Sequence, residues 1–295
     1  MTHEEYRALF SDWAQMTEDR LAQLCDAYLP ATAEIGQAAR YSLLGGGKRI
    51  RAVLTLAACQ LSGAPAEKAL DYACALEMLH CYSLIHDDMP CMDNDDFRRG
   101  RPSCHKQYGE ATALLAADAL VTAAFEVIAH ADLPAESRVS AAAILAKGGG
   151  ARGMLYGQEL DKRYETQAAT EEELRELHAH KTGALIIAAT QLGCSAAGAG
   201  QTTQQALAAY AAEVGLVFQI VDDILDVTST TEELGKPVGS DADNDKTTFV
   251  TLYGLDGARE LAERHNEKAL CALQDLGPSA DFLRMLAAEL LQRKK

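Results

Sequence analysis

Apolar residues recur every three or four positions along most of the chain, which is the spacing of one face of an α-helix. Two stretches, 70–85 and 207–221, are apolar around much of their circumference, so they predict buried central helices. Alternating β-branched stretches bounded by turns do not occur, and strands are therefore not predicted. Glycine and proline clusters divide the pattern into roughly ten to twelve helices. Because no linker or shift in composition separates these helices, we predict one all-α domain over residues 1–295.

Composition and charge narrow the class of protein. The chain has 295 residues with 43 acidic and 27 basic side chains, a net charge of −16 at pH 7. Such a chain repels nucleic acid unless a basic patch or a metal ion intervenes, so nucleic acid is not an expected partner. The eight cysteines form no CxxC pair, which argues against a zinc ribbon or a disulfide scaffold. The N-terminus is polar and no apolar run approaches about 20 residues, so we expect a soluble cytoplasmic protein without a membrane span.

A first aspartate cluster follows the first of the two apolar helices. It contains Asp87, Asp88, Asp93, Asp95 and Asp96, with Pro90 ending the helix between them. Carboxylates at the C-terminus of a helix oppose the helix dipole, so a bound cation would stabilise several of them there. Taken alone, a solvated acidic turn explains this cluster equally well.

A second aspartate cluster lies inside the other apolar stretch and contains Asp222, Asp223 and Asp226. Asp222 and Asp226 are four residues apart and share a helix face with Gln219, one turn earlier. Unpaired carboxylates among apolar residues are costly, which makes a solvated turn a weaker explanation here. Mg²⁺ suits such carboxylates, because it is usually held by one or two of them together with substrate phosphates. The sequence therefore predicts a magnesium site, with Mn²⁺ as a possible substitute.

Basic residues recur next to flexible turns and next to the aspartates. They are Lys48, Arg49 and Arg51 after three glycines, Arg98, Arg99 and Arg101 after the first cluster, and Lys181, Lys236 and Lys246. Each of them could simply form a surface salt bridge. Because Arg and Lys side chains match phosphate oxygens, the set together predicts a chamber for two diphosphates. One diphosphate would be held through Mg²⁺ and the other directly, which reconciles an acidic protein with anionic substrates.

Several long motifs occur in an order typical of one enzyme family. They are GGGKRIR at 45–51, DDMPCMDNDDFRRGRP at 87–102, HKTGAL at 180–185, FQIVDDILD at 218–226 and GKPVGSDADNDKTT at 235–248. On these motifs the chain resembles the bacterial short-chain trans-prenyl diphosphate synthases, and among them the farnesyl diphosphate synthases (geranyltranstransferases). The resemblance covers nearly the whole chain. It departs at Phe249 and Val250, where the family usually has Tyr-Pro, so the backbone there does not follow from the family.

The resemblance implies an isoprenoid-synthase fold, a bundle of mostly antiparallel helices around a central cavity, in a homodimer. It implies that isopentenyl diphosphate condenses head-to-tail with dimethylallyl and geranyl diphosphate to give (2E,6E)-farnesyl diphosphate and diphosphate. Ionisation of the allylic substrate, attack by the double bond and loss of a proton need no protein nucleophile. About three Mg²⁺ ions would stabilise the leaving diphosphate.

The resemblance also implies roles for individual residues. The implied magnesium ligands are Asp87, Asp88, Asp93, Asp222, Asp223 and Asp226. The implied contacts to the allylic substrate are Arg98, Lys181, Thr182, Gln219 and Lys236, with Lys246 as a further diphosphate contact. The implied contacts to isopentenyl diphosphate are Gly47, Lys48, Arg51, His80 and Arg99. Among these, the expected catalytic residues are Asp87, Asp88, Asp93, Arg98, Lys181, Asp222 and Lys236.

Product length should depend on the residue that closes the floor of the cavity. Tyr82 lies five residues before Asp87, about 7.5 Å lower along a helix. In similar enzymes an aromatic residue here, together with the inserted Pro90-Cys91, accompanies a C15 product, although Tyr82 could also simply pack in the core. The alternatives are a geranylgeranyl or longer-chain synthase and, from a different class, an inactive helical interaction protein. A terpene cyclase would require Ser or Thr at Asp226 and Glu at Thr230.

Overall fold

The computed structural model describes residues 1–228 and 246–293, and most of these residues lie in helices. The α-helices are α1 (His3–Tyr28), α2 (Glu34–Leu43), α3 (Ile50–Leu61), α4 (Leu70–Asp87), α5 (Cys104–Tyr108), α6 (Glu110–His130), α7 (Ala135–Gly149), α8 (Met154–Tyr164), α9 (Glu171–His178), α10 (Ala184–Ala197), α11 (Gln201–Thr228), α12 (Phe249–Ala272) and α13 (Asp281–Gln292). Short 3₁₀ helices cover Ala66–Ala69 and Gln274–Ala280. The described ranges hold about 11 helices if the five-residue α5 is not counted and α9 and α10, which a π-helical segment joins, are counted as one. This confirms the predicted all-α class.

The chain divides into two compact units. The N-terminal unit comprises residues 2–145 and 192–199, and the C-terminal unit comprises residue 1, 146–191 and 200–295. The chain passes from one unit to the other within α7 and α10. That the chain forms one functional domain stays a prediction.

Helix α4 lies at the centre of the N-terminal unit and contacts α1, α2, α3 and α6. Its apolar side chains are buried around the whole circumference, as in Tyr72, Leu76 and Met78. A helix that is apolar on all sides needs neighbours on all sides, so the sequence pattern over 70–85 correctly predicted a central helix. The first aspartate cluster begins at the last turn of this helix.

Helix α6 is the one helix in the described ranges that is long and apolar enough to cross a membrane by length and composition. Within the protein, 44% of that apolar stretch is buried, and α6 packs against α2 and α4. The core helix of a soluble protein passes the same test, so α6 is weak support for a membrane span.

Helix α11 organises the C-terminal unit and contacts α9, α12 and α13. The buried cluster around it contains Ala169, Leu174, Val217, Ile220, Val221, Leu225, Phe249, Ala258, Leu261 and Ala262. This burial explains the second apolar stretch of the sequence, and it leaves the aspartates of 222–226 on a helix held along its length.

Two short segments were not predicted from the sequence. Residues Phe97–Arg98 (β1) pair antiparallel with Arg101–Pro102 (β2) in a minimal hairpin directly after the first aspartate cluster. Residues Ala179–Gly183 form a π-helical segment that joins α9 to α10. Two residues are too few to show an alternating pattern, and a single wide turn leaves no periodicity of its own.

Candidate active site

The loop before α3 that contains Gly45, Gly46 and Gly47, here called the glycine loop, holds a guanidinium group. Gly47 has a φ of 136°, and a Cβ atom there would lie 2.9 Å from Cζ of Arg99. Arg99 also donates a hydrogen bond to the carbonyl oxygen of Gly46. The structure thus brings Gly47 and Arg99, both predicted to bind diphosphate, into direct contact.

Arg49, in the same loop, has a structural role instead. Its side chain is buried and donates to Glu18 at 2.7 Å, to Glu77 at 3.1 Å and to the carbonyl oxygen of Leu43 at 2.6 Å. Glu77 also accepts a hydrogen bond from the backbone N–H of Ala52. Sequence reasoning missed the buried Glu77, because one acidic residue in an apolar helix does not reveal its partner. This network fixes the start of α3, where Lys48 and Arg51 lie on either side.

Arg51 and His80, each predicted to contact isopentenyl diphosphate, lie next to each other. Nη1 of Arg51 lies 3.2 Å from Nε2 of His80, and Nε of Arg51 is buried without a partner among the described residues. Burial and the charge of Arg99 lower the pKa of Arg51. Burial and the charges of Arg51 and Arg99 hold the pKa of His80 well below its usual value. A neutral His80 that accepts from Arg51, beside excess positive charge, is an environment that favours an anion.

The first aspartate cluster separates into two kinds of carboxylate. Asp87 is half-buried and Asp93 is exposed, and the backbone N–H of Asp93 donates to the carbonyl oxygen of Asp87 at 2.9 Å. Asp88 is buried and accepts from Nε of Arg98 at 2.9 and 3.3 Å and from Nη2. Burial raises the pKa of Asp88, and the Arg98 guanidinium opposes that effect. Asp87 and Asp93 are therefore the members of this cluster that solvent or a ligand can reach, and the buried Asp88 orients Arg98.

The hairpin that carries these arginines is attached to α2. The Tyr41 hydroxyl donates to the carbonyl oxygen of Pro102 at 2.9 Å, and the Arg101 guanidinium lies 4.0 Å from the centre of the Tyr41 ring. Such a cation–π contact and hydrogen bond hold the short β1–β2 turn in one place. Arg98, Arg99 and Arg101 consequently have three different partners, although they are adjacent in sequence.

Tyr82 lies on α4 below the first aspartate cluster, as the spacing predicted. Its side chain is 7% exposed, and its ring meets the His86 ring edge-on at 5.5 Å between centroids. Burial raises the pKa of Tyr82, so the phenol is neutral at physiological pH. The residue is thus a rigid aromatic side chain fixed by its own helix.

In the C-terminal unit, the π-helical segment carries Lys181 and Thr182. The Thr182 hydroxyl donates to Oε1 of Gln219 at 3.1 Å, which brings together two residues predicted to contact the allylic substrate. Gly157 on α8 permits this arrangement, since a Cβ atom there would lie 2.0 Å from the backbone nitrogen of Lys181. The π-helical segment and the missing side chain together bring Lys181 close to α8.

Asp161 on α8 is a site residue that sequence reasoning missed. Its Oδ2 lies 2.5 Å from Nζ of Lys181 and its Oδ1 lies 3.9 Å from Nζ of Lys246. Burial opposes its ionisation, but the charges of Lys181 and Lys246 hold the pKa of Asp161 below its usual value. The only signal in the sequence was an acidic residue four positions after Gly157, which is too common a pattern to single out.

The second aspartate cluster also separates by burial. Asp222 is 41% exposed and pairs with Arg293, which follows α13. Asp223 is buried and accepts from the backbone N–H of Phe249 at 2.8 Å, so it stabilises the first turn of α12. Asp226 is buried as well. At Phe249 and Val250, where the sequence departs from its family, the chain begins a helix capped by Thr248.

A cleft in the C-terminal unit is lined by several of the lysine and aspartate side chains described above. Its cavity volume is about 170 Å³, and its polar lining includes Asp161, His178, Lys181, Gln219, Asp222 and Lys246. His178 is buried, which lowers its pKa to about 3, so it adds no positive charge. The predicted contact Lys236 lies outside the described residues. Two lysines beside a partly exposed carboxylate make this cleft suited to an anion that carries a metal ion.

The carboxylates fit a magnesium ion held jointly with a phosphate ligand. Within residues 1–228 and 246–293, no group of three or more His, Cys, Asp or Glu side chains is arranged to hold a metal. Mg²⁺ typically needs only one or two carboxylates, because phosphate oxygens and waters complete its shell. Asp87 and Asp93 in the N-terminal unit would supply such oxygens, and so would Asp222 in the C-terminal unit, where it pairs with Arg293. Asp88 and Asp223 are more deeply buried and accept hydrogen bonds from Arg98 and from the backbone of Phe249.

Comparison with known proteins finds relatives that match most of this chain. The sequence profile described as polyprenyl synthetase matches residues 32–275. The farnesyl diphosphate synthase of Micrococcus luteus is 44% identical over 272 residues, which cover 92% of this chain and 94% of that protein. The chloroplastic geranylgeranyl pyrophosphate synthase 9 of Arabidopsis thaliana is 46% identical over 251 residues, 83% of this chain and 70% of that protein.

A solved structure shares the fold. The crystal structure of a geranyltransferase from Legionella pneumophila matches with a TM-score of 0.88 at 37% identity, covering 99% of this chain and 98% of that one. At this identity and coverage, the match supports the same fold for the described residues.

Proposed function

Because the chain belongs to the polyprenyl synthetase family, we propose that it makes (2E,6E)-farnesyl diphosphate by condensing isopentenyl diphosphate with dimethylallyl and then geranyl diphosphate. The family assignment makes it a short-chain prenyl diphosphate synthase, and therefore a prenyltransferase. The proposal adds the C15 product, the individual substrates and the use of Mg²⁺. The observation that carries it is the cleft in which Lys181, Lys246 and Asp222 lie together.

In the cleft of the C-terminal unit, Lys181 and Lys246 would hold the allylic diphosphate and stabilise its charge as the carbon–oxygen bond breaks. That Arg98 contacts the same substrate is expected from the family resemblance alone. Bound Mg²⁺, carried by Asp87, Asp93 and Asp222, would supply further stabilisation of the leaving diphosphate. Asp161 positions Lys181 through the 2.5 Å ion pair. Thr182 and Gln219, already hydrogen-bonded to each other, would orient the same group. The proton lost after condensation goes to the released diphosphate, so no protein base is required.

Isopentenyl diphosphate would bind at the glycine loop of the N-terminal unit. Arg51, Arg99 and Lys48 provide cations there, and Arg51 has a buried N–H group that lacks a partner among the described residues. A diphosphate would satisfy this donor and neutralise the like charges that lower the pKa of Arg51. Neutral His80 would accept from Arg51 and keep its guanidinium in one orientation.

The test of this function is incubation of the enzyme with isopentenyl diphosphate and each allylic starter, then sizing of the hydrolysed alcohols. We expect farnesol from both starters with Mg²⁺ and no product in excess EDTA. Full turnover in EDTA, or no condensation product from either starter, would contradict the proposal.

Tyr82 carries the proposal of a C15 product. We predict that Tyr82→Ala extends the product to C20 or longer, because it removes a buried ring five residues below Asp87 on α4. Chromatography of the hydrolysed products measures the change. Tyr82→Phe keeps the ring and should keep C15, so an unchanged profile in Tyr82→Ala would mean that another residue limits chain length.

A geranylgeranyl diphosphate synthase is the second candidate. Plant synthases named for that product are 45–48% identical to this chain over their matched residues, as high as the bacterial farnesyl diphosphate synthases. Overall identity therefore does not separate C15 from C20 synthesis. A wild-type product of C20 in the same assay would favour this second candidate.

We also propose that the protein is a homodimer and lies in the cytoplasm. Leu114 and Leu115 on α6 and Val139 on α7 are large apolar side chains exposed on the N-terminal unit. Burial of such side chains against a second copy would remove apolar surface from water.

A further inference from the structure

Arg293 lies on the second aspartate cluster although it is the last residue but two of the chain. Its Nη2 donates to Oδ1 of Asp222 and to the carbonyl oxygen of Phe218, the latter at 3.2 Å. Its guanidinium carbon lies 4.0 Å from the centre of the Phe218 ring. These three contacts fix the guanidinium on one turn of α11, 71 residues away in sequence.

This contact is more than a surface ion pair. The Arg293 side chain is 11% exposed, and its Nε is buried without a hydrogen-bond partner among the described residues. Charge-assisted hydrogen bonds are strongest where water is excluded, so Asp222 compensates a charge that is otherwise poorly solvated. The aspartate predicted to lead a metal site is therefore bound to a cation of the protein itself.

A metal ion and Arg293 would compete for Asp222. Mg²⁺ binds carboxylate oxygens directly, and a divalent cation on that carboxylate repels a guanidinium at hydrogen-bond distance. Withdrawal of Arg293 disturbs little of the fold, since α13 ends at Gln292 and the backbone of Arg293 is already extended.

We infer that Arg293 is a latch: it occupies Asp222 in the metal-free enzyme and leaves when a divalent metal binds there. The inference rests on the proposed function in one respect, that Asp222 is a metal ligand. The latch would keep the isolated cleft from taking up metal in the absence of a diphosphate. It would also release an arginine next to the substrate once metal and diphosphate arrive together.

The direct test is modification of the wild-type enzyme by phenylglyoxal, which reacts with accessible arginines, followed by peptide mass spectrometry. Mn²⁺ with inorganic pyrophosphate replaces the substrate, and the metal-free enzyme is the reference. We expect Arg293 to react about five-fold faster with metal, the factor that corresponds to losing an ion pair worth about 1 kcal/mol. Arg264, an exposed arginine of the same unit, is the internal control and should not change. Equal or slower reaction of Arg293 would overturn the latch.

Mn²⁺ binding gives a second, independent readout. In an electron paramagnetic resonance titration with pyrophosphate, Arg293→Ala should bind Mn²⁺ about five-fold more tightly than wild type. Arg293→Lys keeps the charge but lacks the planar guanidinium, so its affinity for Mn²⁺ should change less. Arg264→Ala should bind Mn²⁺ as tightly as wild type. Weaker or equal binding by Arg293→Ala, including no detectable binding in either protein, would show that Arg293 supports the site or is irrelevant to it.

Failure of the latch and failure of the proposed function give different results. If Arg293 does not move but the enzyme makes farnesyl diphosphate, only the latch is wrong. If no prenyl product forms and Mn²⁺ still displaces Arg293, the latch holds and the proposed reaction is wrong. Far-ultraviolet circular dichroism of each variant checks that the helices are intact.

Discussion

Adjacent residues of the same type have different roles in this protein. Arg49 is buried in a network with Glu18 and Glu77. Arg51, two residues later, lies beside His80, and its buried Nε–H has no partner within the described part of the chain. Asp88 orients Arg98, and Asp87, its neighbour, keeps part of its surface exposed. Arg49 precedes α3 with a left-handed backbone (φ 52°), whereas Arg51 lies in the first turn of that helix, so the two side chains leave the chain in different directions.

Substitution of the two arginines should separate stability from binding. Arg49→Ala leaves Glu77 buried without its counter-ion, a loss of about 3–5 kcal/mol, and should lower the melting temperature by about 5–10 °C. Arg51→Ala removes a cation that burial and Arg99 destabilise, so its melting temperature should stay close to wild type. Instead, its KM for isopentenyl diphosphate should rise by about ten-fold or more.

Differential scanning calorimetry and steady-state kinetics on both variants provide the check. Arg264→Ala, which removes an exposed arginine of the other unit, controls for the change in net charge. The opposite pattern, a stable Arg49→Ala and an unfolded Arg51→Ala, would reverse the two roles.

At the scale of elements, the π-helical segment Ala179–Gly183 is the feature that most affects the site. It lies between two regular helices and carries Lys181 and Thr182. An insertion of this kind changes the direction of side chains by a fraction of a turn, so the residues that follow no longer continue the face of α9. The sequence identified the two residues, but the packing of α8 against the segment decides where Lys181 lies.

Gly157→Ala should therefore inactivate the enzyme, although Gly157 is not one of the residues predicted to contact substrate. The added methyl group would lie 2.0 Å from the backbone nitrogen of Lys181, which is too close, so the π-helical segment must shift. A displacement of about 1 Å in a positioning group typically costs about 100-fold in rate, and overpacking costs about 1–3 kcal/mol of stability. Kinetic assays and thermal unfolding measure both effects.

Gly200→Ala is the matched control for that substitution. Gly200 precedes α11 in the same unit, and a Cβ atom there would meet nothing within 4 Å. This variant should be as active and as stable as wild type. Loss of activity in both variants would point to a general sensitivity of the unit rather than to the contact with Lys181.

At the scale of the whole molecule, a protein with a large negative net charge can bind anionic substrates because positive side chains lie near the site residues. The chain carries a net charge of −16, yet each aspartate cluster has a cation beside it, Arg98 on Asp88 in one unit and Arg293 on Asp222 in the other. Charge totals control long-range steering, whereas a binding site depends on the groups within a few ångströms. That both clusters act on one allylic diphosphate stays a prediction.

Ligand binding should stabilise the whole molecule only when metal and diphosphate are both present. With Mg²⁺ and a bisphosphonate at about 100 times its Kd, stabilisation should reach about 2.7 kcal/mol, or about 5–10 °C in melting temperature. Mg²⁺ alone should give a much smaller shift, because the described carboxylates do not form a complete metal shell. A thermal-shift assay measures this, and an inactive helical scaffold would give no shift in either condition.

Most of the fold was predictable because helices leave a periodic signal, as in α4 and α11. Clustered charges made Asp87, Asp222 and Lys181 candidate site residues, and their roles stay predictions. Asp161 and the role of Glu77 were not predictable, since one carboxylate on a helix carries no sign of its partner. The hairpin β1–β2 and the π-helical segment were too short to show a pattern of their own.

The sequence by itself determined the helical class, the chemical types of the site residues and their order along the chain. These depend on spacing and composition, which the chain carries locally. Only the tertiary structure decided which aspartates are satisfied by the protein, which arginine is buried and that Arg293 lies on Asp222. Those outcomes depend on contacts between segments far apart in sequence, where burial and competition for hydrogen bonds select one partner among many.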